Sequence, residues 1–186
     1  VIDAAASKPF GFMPFYPGPG LGGHCIPIDP FYLSWKAKQS GFEPRFIELA
    51  GQINGQMPDH VVSLVIRALN EHEKGLKGSR VLVCGVSYKR DIDDYRESPA
   101  LDVIQELGRW GAKVDYSDPF VASVEVGEIN YENRDLSAEM LAEYDCAVIT
   151  TDHSKVDYEL ILNHSRLVVD SRNKYRGVKN SKIFKP

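Results

Sequence analysis

The apolar positions along this chain change period twice. Residues 9–29 show no period: five Pro and five Gly stand among aromatic residues, so no regular element is expected there. The tract Pro17-Gly18-Pro19-Gly20-Leu21-Gly22-Gly23-His24-Cys25 reads as an ordered loop. Asp29-Pro30 then predicts a helix start, because the Asp carboxylate caps free N–H groups and Pro suits the first helical position. Gly41 is expected to end that short helix.

From Pro44 to about Lys74 the period is helical. Phe46, Leu49, Ala50, Ile53 and Met57 fall at i, i+3, i+4, i+7 and i+11, Pro58 restarts the helix, and Val61, Leu64, Val65, Ala68 and Leu69 repeat the stripe. After Gly75 and Gly78 the pattern turns to β. Arg80–Val86 is a short apolar run suited to a buried parallel strand. Ser98-Pro99 caps a helix with Leu101, Ile104 and Leu107, closed at Gly111. Lys113–Tyr116 and Asp145–Thr150 read as further strands, 157–163 as a helix and Arg166–Asp170 as a last strand. Strands alternating with helices imply an α/β fold, a Rossmann-like parallel sheet with helices on both faces. The expected division is a central helical segment at 1–77, carrying the loop, and a sheet domain at 78–186.

The chain has 186 residues, one domain of ~150 residues and something shorter. Net charge is −4 and no basic run exceeds three residues, so the clustered Lys/Arg of a nucleic-acid footprint is missing. No apolar stretch approaches the ~18–20 residues that span a bilayer, and no membrane role is expected. Three cysteines without a C-x-x-C argue against a disulfide framework or a zinc ribbon and for a reducing, cytoplasmic setting. The opening Val1-Ile2-Asp3-Ala4-Ala5-Ala6 lacks Met and reads as mid-helix, so the chain is expected to be a fragment of a longer one.

Ligands of open α/β sheets bind beyond the C-terminal strand ends. Here those ends are Gly85–Arg90, Ser117-Asp118-Pro119, Thr150-Thr151-Asp152-His153 and Asp170-Ser171-Arg172-Asn173. The first has one Gly where a dinucleotide fingerprint has three, which makes a poor NAD site. Lys89, Arg90, Arg96 and Arg172 would suit phosphates; their spacing is equally that of solvated charges. Cys84 and Cys146 sit in apolar strands and read as core. Cys25 ends a Gly-rich loop beside His24, just before a helix start where amide donors favour an anion. It reads as a nucleophile, a structural residue or, least readily, a metal ligand, because His24, Cys25 and Asp29 crowd three ligands into six residues. No metal is expected. Asp29 could hold a water or orient a partner.

These residues resemble a known family. Gly20-Leu21-Gly22-Gly23-His24-Cys25-Ile26-Pro27-Ile28-Asp29-Pro30 resembles the catalytic-cysteine loop of the UDP-glucose/GDP-mannose dehydrogenases. Residues 86–99, Val-Ser-Tyr-Lys-Arg-Asp-Ile-Asp-Asp-Tyr-Arg-Glu-Ser-Pro, look like the opening of their nucleotide-sugar domain, and Asp170-Ser171-Arg172-Asn173 matches a third signature. The His-Cys-Ile-Pro variant is similar to the branch acting on UDP-N-acetylhexosamines. The resemblance implies oxidation of a sugar C6 alcohol to a carboxylate with two NAD, through a thiohemiacetal and a thioester on Cys25, in polysaccharide biosynthesis. It implies Asp29 for proton movement and water; Tyr16, Pro17, Gly18, Pro19, Gly20, Leu21 and Gly22 as the segment wrapping the substrate; Tyr88, Lys89 and Arg172 as substrate contacts; and Arg96 as a residue reaching NAD. It also implies a homodimer through the 44–74 helix. Departures are the lack of an NAD-binding Rossmann domain, so that the chain alone is expected to be inactive, and Pro9, with Lys8 beside it, where the family lends an arginine across its dimer. The alternative is a non-catalytic nucleotide-binding or dimerisation module. A cysteine hydrolase or acyl transferase would need a His base; His24 is not expected to fold back, and His60, His72, His153 and His164 lack triad spacing.

Overall fold

A computed structural model describes residues 1–186. The chain runs α1 (Ile2–Ala6), α2 (Cys25–Gln39), α3 (Arg45–Gly55), α4 (Met57–Asn70), β1 (Arg80–Cys84), α5 (Pro99–Arg109), β2 (Lys113–Ser117), β3 (Ser123–Val126), β4 (Ile129–Glu132), α6 (Ala138–Ala142), β5 (Cys146–Ile149), α7 (Tyr158–His164), β6 (Val168–Asp170) and β7 (Ile183–Phe184). Five strands form one parallel sheet in the order β2-β1-β5-β6-β7. This is the expected parallel α/β architecture. No helix is long and apolar enough to cross a membrane.

The sheet is buried on both faces, which is why its strands read as unbroken apolar runs. Val81, Val83, Cys146, Val148 and Val169 point into a cluster of 22 buried residues shared with α4 and α5. Their strand neighbours Leu82, Cys84, Ala147, Ile149 and Val168 point into a cluster of 11 residues with α6 and α7. Ser98 caps α5, its side chain accepting from the Ala100 amide at 3.3 Å, while Pro99 takes the first helical position. The β3–β4 hairpin turns through Gly127 at φ 63°, a value that a two-residue hairpin turn gives to Gly at little cost.

The 44–74 stripe is divided. Helix α4 buries Val61, Val62, Leu64, Val65, Ala68 and Leu69 in the larger core cluster, although it lies before residue 78. Helix α3 buries nothing, and Phe46, Leu49 and Ile53 face solvent. Helices α2 and α3 meet where Gly51 has no side chain: a Cβ there would overlap the Phe31 ring. Ser34, the one buried residue of α2, donates to Glu48 Oε1 at 2.9 Å across the same seam.

The helix start expected at Asp29-Pro30 is corrected. Helix α2 begins at Cys25, so Asp29 lies within the helix rather than capping it. Pro27 falls in the first turn, where N–H groups have no helical partner, and Pro30 removes a single interior donor. The two prolines together still leave the chain helical from Cys25.

Candidate active site

The strand order fixes where a ligand can sit. From β1 the chain proceeds to β2 on one side, and β5 and β6 lie on the other. The sheet therefore has its topological switch point between β1 and β5, the place where a crevice opens beyond the strand ends. The loop after β1 (residues 85–98), the turn after β5 (150–153) and the turn after β6 (171–175) all meet there.

Backbone geometry at this edge is set by specific side chains. Thr150 Oγ1 donates to Gly85 O at 2.5 Å, and Thr151 Oγ1 donates to Ser87 O at 2.6 Å. Gly85, at φ 88°, packs where any Cβ would overlap the Thr151 carbonyl. The buried Asp170 carboxylate accepts from the amides of Lys174 (2.9 Å) and Tyr175 (2.8 Å), winding the turn that presents Arg172. His153, fully buried, bridges two loops. Its Nδ1 accepts from the Asp91 amide at 3.0 Å, so Nε2 carries the proton shared with Asp118 Oδ2 (3.0 Å) and Ser87 Oγ (3.1 Å). Burial by itself raises the Asp118 pKa. Hydrogen bonds from His153 and from the Phe120 and Val86 amides outweigh it and hold the carboxyl below its ordinary value.

The Gly-rich loop lies directly on this edge. A Cβ at Gly18 would overlap the Arg172 guanidinium, and one at Gly22 would overlap Tyr88 and approach Glu97 O to 2.7 Å. Gly20, at φ 143°, would bring a Cβ to 2.9 Å from the Pro99 ring. Pro19 and Gly23 are buried, and the Gly23 amide donates to Arg96 O at 3.3 Å. Pro17 and Leu21 stay exposed. The Tyr16 hydroxyl donates to Asp3 Oδ1 at 3.0 Å, and the same carboxylate accepts from Arg176 Nη2 at 2.6 Å. The structure thus gathers the loop, Tyr88 and Arg172 at one edge, with Lys89 exposed beside them. Arg96 is the exception: its guanidinium is paired with Asp94, whose carboxyl that pairing holds down at about 2.

Cys25 follows two residues beyond Gly23, exposed, at the first position of the 15-residue α2. Asp29, also exposed, stands four residues on and so on the same helix face. His24 does fold back: its Nδ1 lies 3.3 Å from Cys25 Sγ. His24 is the N-cap residue of α2, at φ −107° and ψ −19°, and its side chain makes no cap hydrogen bond. From sequence, His24 is weighed only as a metal ligand or a hydrolase base, His153 only as a base without triad spacing, and Asp118 and Asp152 only as parts of the strand ends where ligands gather. Cys84 and Cys146 are buried, and burial pushes both thiols up to about 12.

These strand ends do not fit a dinucleotide pyrophosphate. The single glycine after β1 is required for packing on Thr151 rather than for backbone approach to a ligand, and residues 85–98 separate β1 from the N-terminus of α5. The long loop instead offers side-chain cations.

Comparison with known proteins matches two segments of the chain. Residues 82–177 match the UDP binding domain of the UDP-glucose/GDP-mannose dehydrogenase family, and residues 1–56 match its central domain. A UDP-N-acetyl-D-glucosamine 6-dehydrogenase of Salmonella typhi is 35% identical over 155 residues, 83% of this chain and 36% of the relative. A UDP-N-acetyl-D-mannosamine dehydrogenase of Methanococcus vannielii is 32% identical over 84% of this chain and 36% of its own. This chain thus spans little more than a third of these relatives. The solved UDP-D-ManNAc dehydrogenase of Pyrococcus horikoshii superposes with a TM-score of 0.81 at 27% identity, over 99% of this chain and 42% of that one. The matched segments cover the loop, the switch point and the Arg172 turn alike, and on that ground the chain belongs to the UDP-glucose/GDP-mannose dehydrogenase family.

Proposed function

We propose that this chain carries the sugar-nucleotide site and the nucleophile of a dehydrogenase that oxidises the C6 alcohol of a UDP-N-acetylhexosamine to the acid. The observation that carries the reading is the seating of Gly18, Gly20 and Gly22 against Arg172, Pro99 and Tyr88, with Cys25 at the helix start just beyond. Lys89 and Arg172 bind the nucleotide diphosphate, Tyr88 and the 16–22 loop enclose the sugar, and C6 is directed toward Cys25. His24 Nδ1, 3.3 Å from Sγ, takes the thiol proton as Sγ adds to the C6 aldehyde. Asp29, one turn along α2, holds the water that releases the product from the thioester. Alcohol to acid is a four-electron change, and two NAD, each accepting one hydride, balance it.

NAD is held on a part of the enzyme outside residues 1–186; the unsuitable strand ends and the fraction of the relatives spanned by this chain support that reading. Arg96 reaches NAD only by leaving Asp94. The chain alone is therefore inactive in hydride transfer. A second copy docks on the exposed α3 face of Phe46, Leu49 and Ile53, and the enzyme works in the cytoplasm, where its three cysteines stay free.

The test is Cys25→Ser in the complete enzyme. Acid formation falls to near zero while UDP-sugar binding persists, and Lys89→Ala weakens binding by about 1.5–3 kcal/mol, the range for hydrogen bonds to charged groups. Near-normal turnover of Cys25→Ser to the acid sinks the covalent mechanism, whereas UDP-sugar binding without any turnover by the complete wild-type protein favours a binding module without catalysis.

A further inference from the structure

Each polar side chain of the turn after β5 has work in the fold, but that of Asp152 differs in kind. Thr150 and Thr151 bond to backbone carbonyls, and His153 bonds within a buried network. Asp152 faces two cations. Its Oδ2 pairs with Arg90 Nη2, its main-chain carbonyl accepts from Arg90 Nε at 2.7 Å, and its Oδ1 lies 3.5 Å from Arg172 Nε. Arg90 comes from the loop after β1 and Arg172 from the turn after β6, and these two strands flank β5. The carboxylate is 17% exposed against 47% and 30% for the guanidiniums, so it lies beneath them.

We propose that Asp152 is a positioning residue that holds Arg90 and Arg172 side by side so that both face one diphosphate. The proposal rests on the reading that this crevice takes UDP, and it adds Arg90 to the groups that touch the nucleotide. Two guanidiniums this close repel, and each side chain is long and rotamer-rich. One carboxylate below both offsets the repulsion and fixes their planes before ligand arrives. The trio keeps a net positive charge, and N–H groups not turned toward Asp152 remain for phosphate oxygens. Gly18 leaves the space that the Arg172 guanidinium occupies on the side of the loop. His153, fully buried next in sequence, anchors the turn.

Positioning and charge predict opposite signs for one substitution. Asp152→Asn removes a negative charge near an anion site, so charge alone predicts tighter binding of UDP. Positioning predicts weaker binding. In calorimetric titration of the 186-residue chain, Asp152→Asn should weaken UDP by about tenfold, the scale of one charged hydrogen bond. UMP, with one phosphate to share, should weaken less, so that the UDP-over-UMP preference shrinks. Arg90→Gln, at a more exposed residue, should shrink the same preference, and the double variant should lose little more than either single one. Equal or tighter UDP binding by Asp152→Asn overturns the proposal, as does a UDP-over-UMP preference unchanged in both single variants. Should Asp152→Asn not fold, an unchanged preference in Arg90→Gln alone overturns it. Failure of the wild-type chain to bind UDP removes the nucleotide reading and the proposal together, a result distinct from the others.

Discussion

The two buried apolar clusters lie entirely at or beyond Val61, whereas α2 and α3 together bury one residue, Ser34. From residue 57 onward the chain has a closed two-faced core. Before it, Phe10, Met13, Phe15, Tyr32, Trp35 and Phe46 all face solvent. The contrast separates two ways of holding a site. The sheet edge is preorganised by its own interior, through Asp118, His153 and Asp170. The cysteine loop is held by what it leans on, because Gly18, Gly20 and Gly22 touch Arg172, Pro99 and Tyr88 of the sheet domain. Exposed apolar area on this scale marks a surface made for contact.

The widest separation between the regions should appear in thiol labelling. Cys25 is exposed; Cys84 and Cys146 react only when the core opens, which costs a large share of the total stability of roughly 5–15 kcal/mol. Mass spectrometry should therefore find Cys25 modified at least about a thousandfold faster. Both core thiols have pKa values raised from about 9 to about 12 by burial. Keeping them neutral stabilises the fold fully below pH 9, and that contribution is lost as pH climbs from 9 toward 12. A melting temperature that holds steady across that window would contradict the assignment.

A core truncation comes next in size. Leu107→Ala, at a fully buried position of α5, should cost about 2–5 kcal/mol in denaturant unfolding. Gly22→Ala should cost less, about 1–3 kcal/mol of loop docking, because its Cβ meets Tyr88 and the Glu97 carbonyl. It should appear as weaker UDP-sugar affinity with an almost unchanged melt. The smallest effect belongs to Phe46→Ala, 88% exposed on α3: stability should move by less than about 0.5 kcal/mol, while sedimentation shows weaker self-association. A large stability loss from Phe46→Ala would mean that α3 is packed within its own chain and would erase the contrast.

The sheet was readable from the chain because burial on both faces leaves unmistakable apolar runs at β1 and β5. The β3–β4 hairpin, α6 and β7 were not readable. They are two to five residues long, too short for a period to establish itself, and Ser123–Glu132 mixes polar and apolar positions as loops do. The 44–74 stripe carried the right period but not its partner: periodicity says that one face is covered and not by what, so the burial of α4 in the sheet core and the exposure of α3 look alike in sequence. The motifs alone named Cys25, Tyr88, Lys89 and Arg172 as candidates. The groups that hold the loop after β1, His153 and Asp118 above all, reach it through contacts between positions 31 to 66 apart in the chain, and no local pattern reports them. His24 stands beside the thiol at the cap of a helix that begins five residues earlier than Asp29-Pro30 suggested.

The bond from the Gly23 amide to the Arg96 carbonyl has a consequence for exchange with solvent. Glycine-rich loops normally trade amide hydrogen for deuterium within moments, because nothing in the loop shields them. Gly23 is buried, and its acceptor belongs to the loop after β1. Its hydrogen is replaced only when the cysteine loop lifts from the sheet edge, so the exchange rate of this one amide measures how often the two halves of the site part.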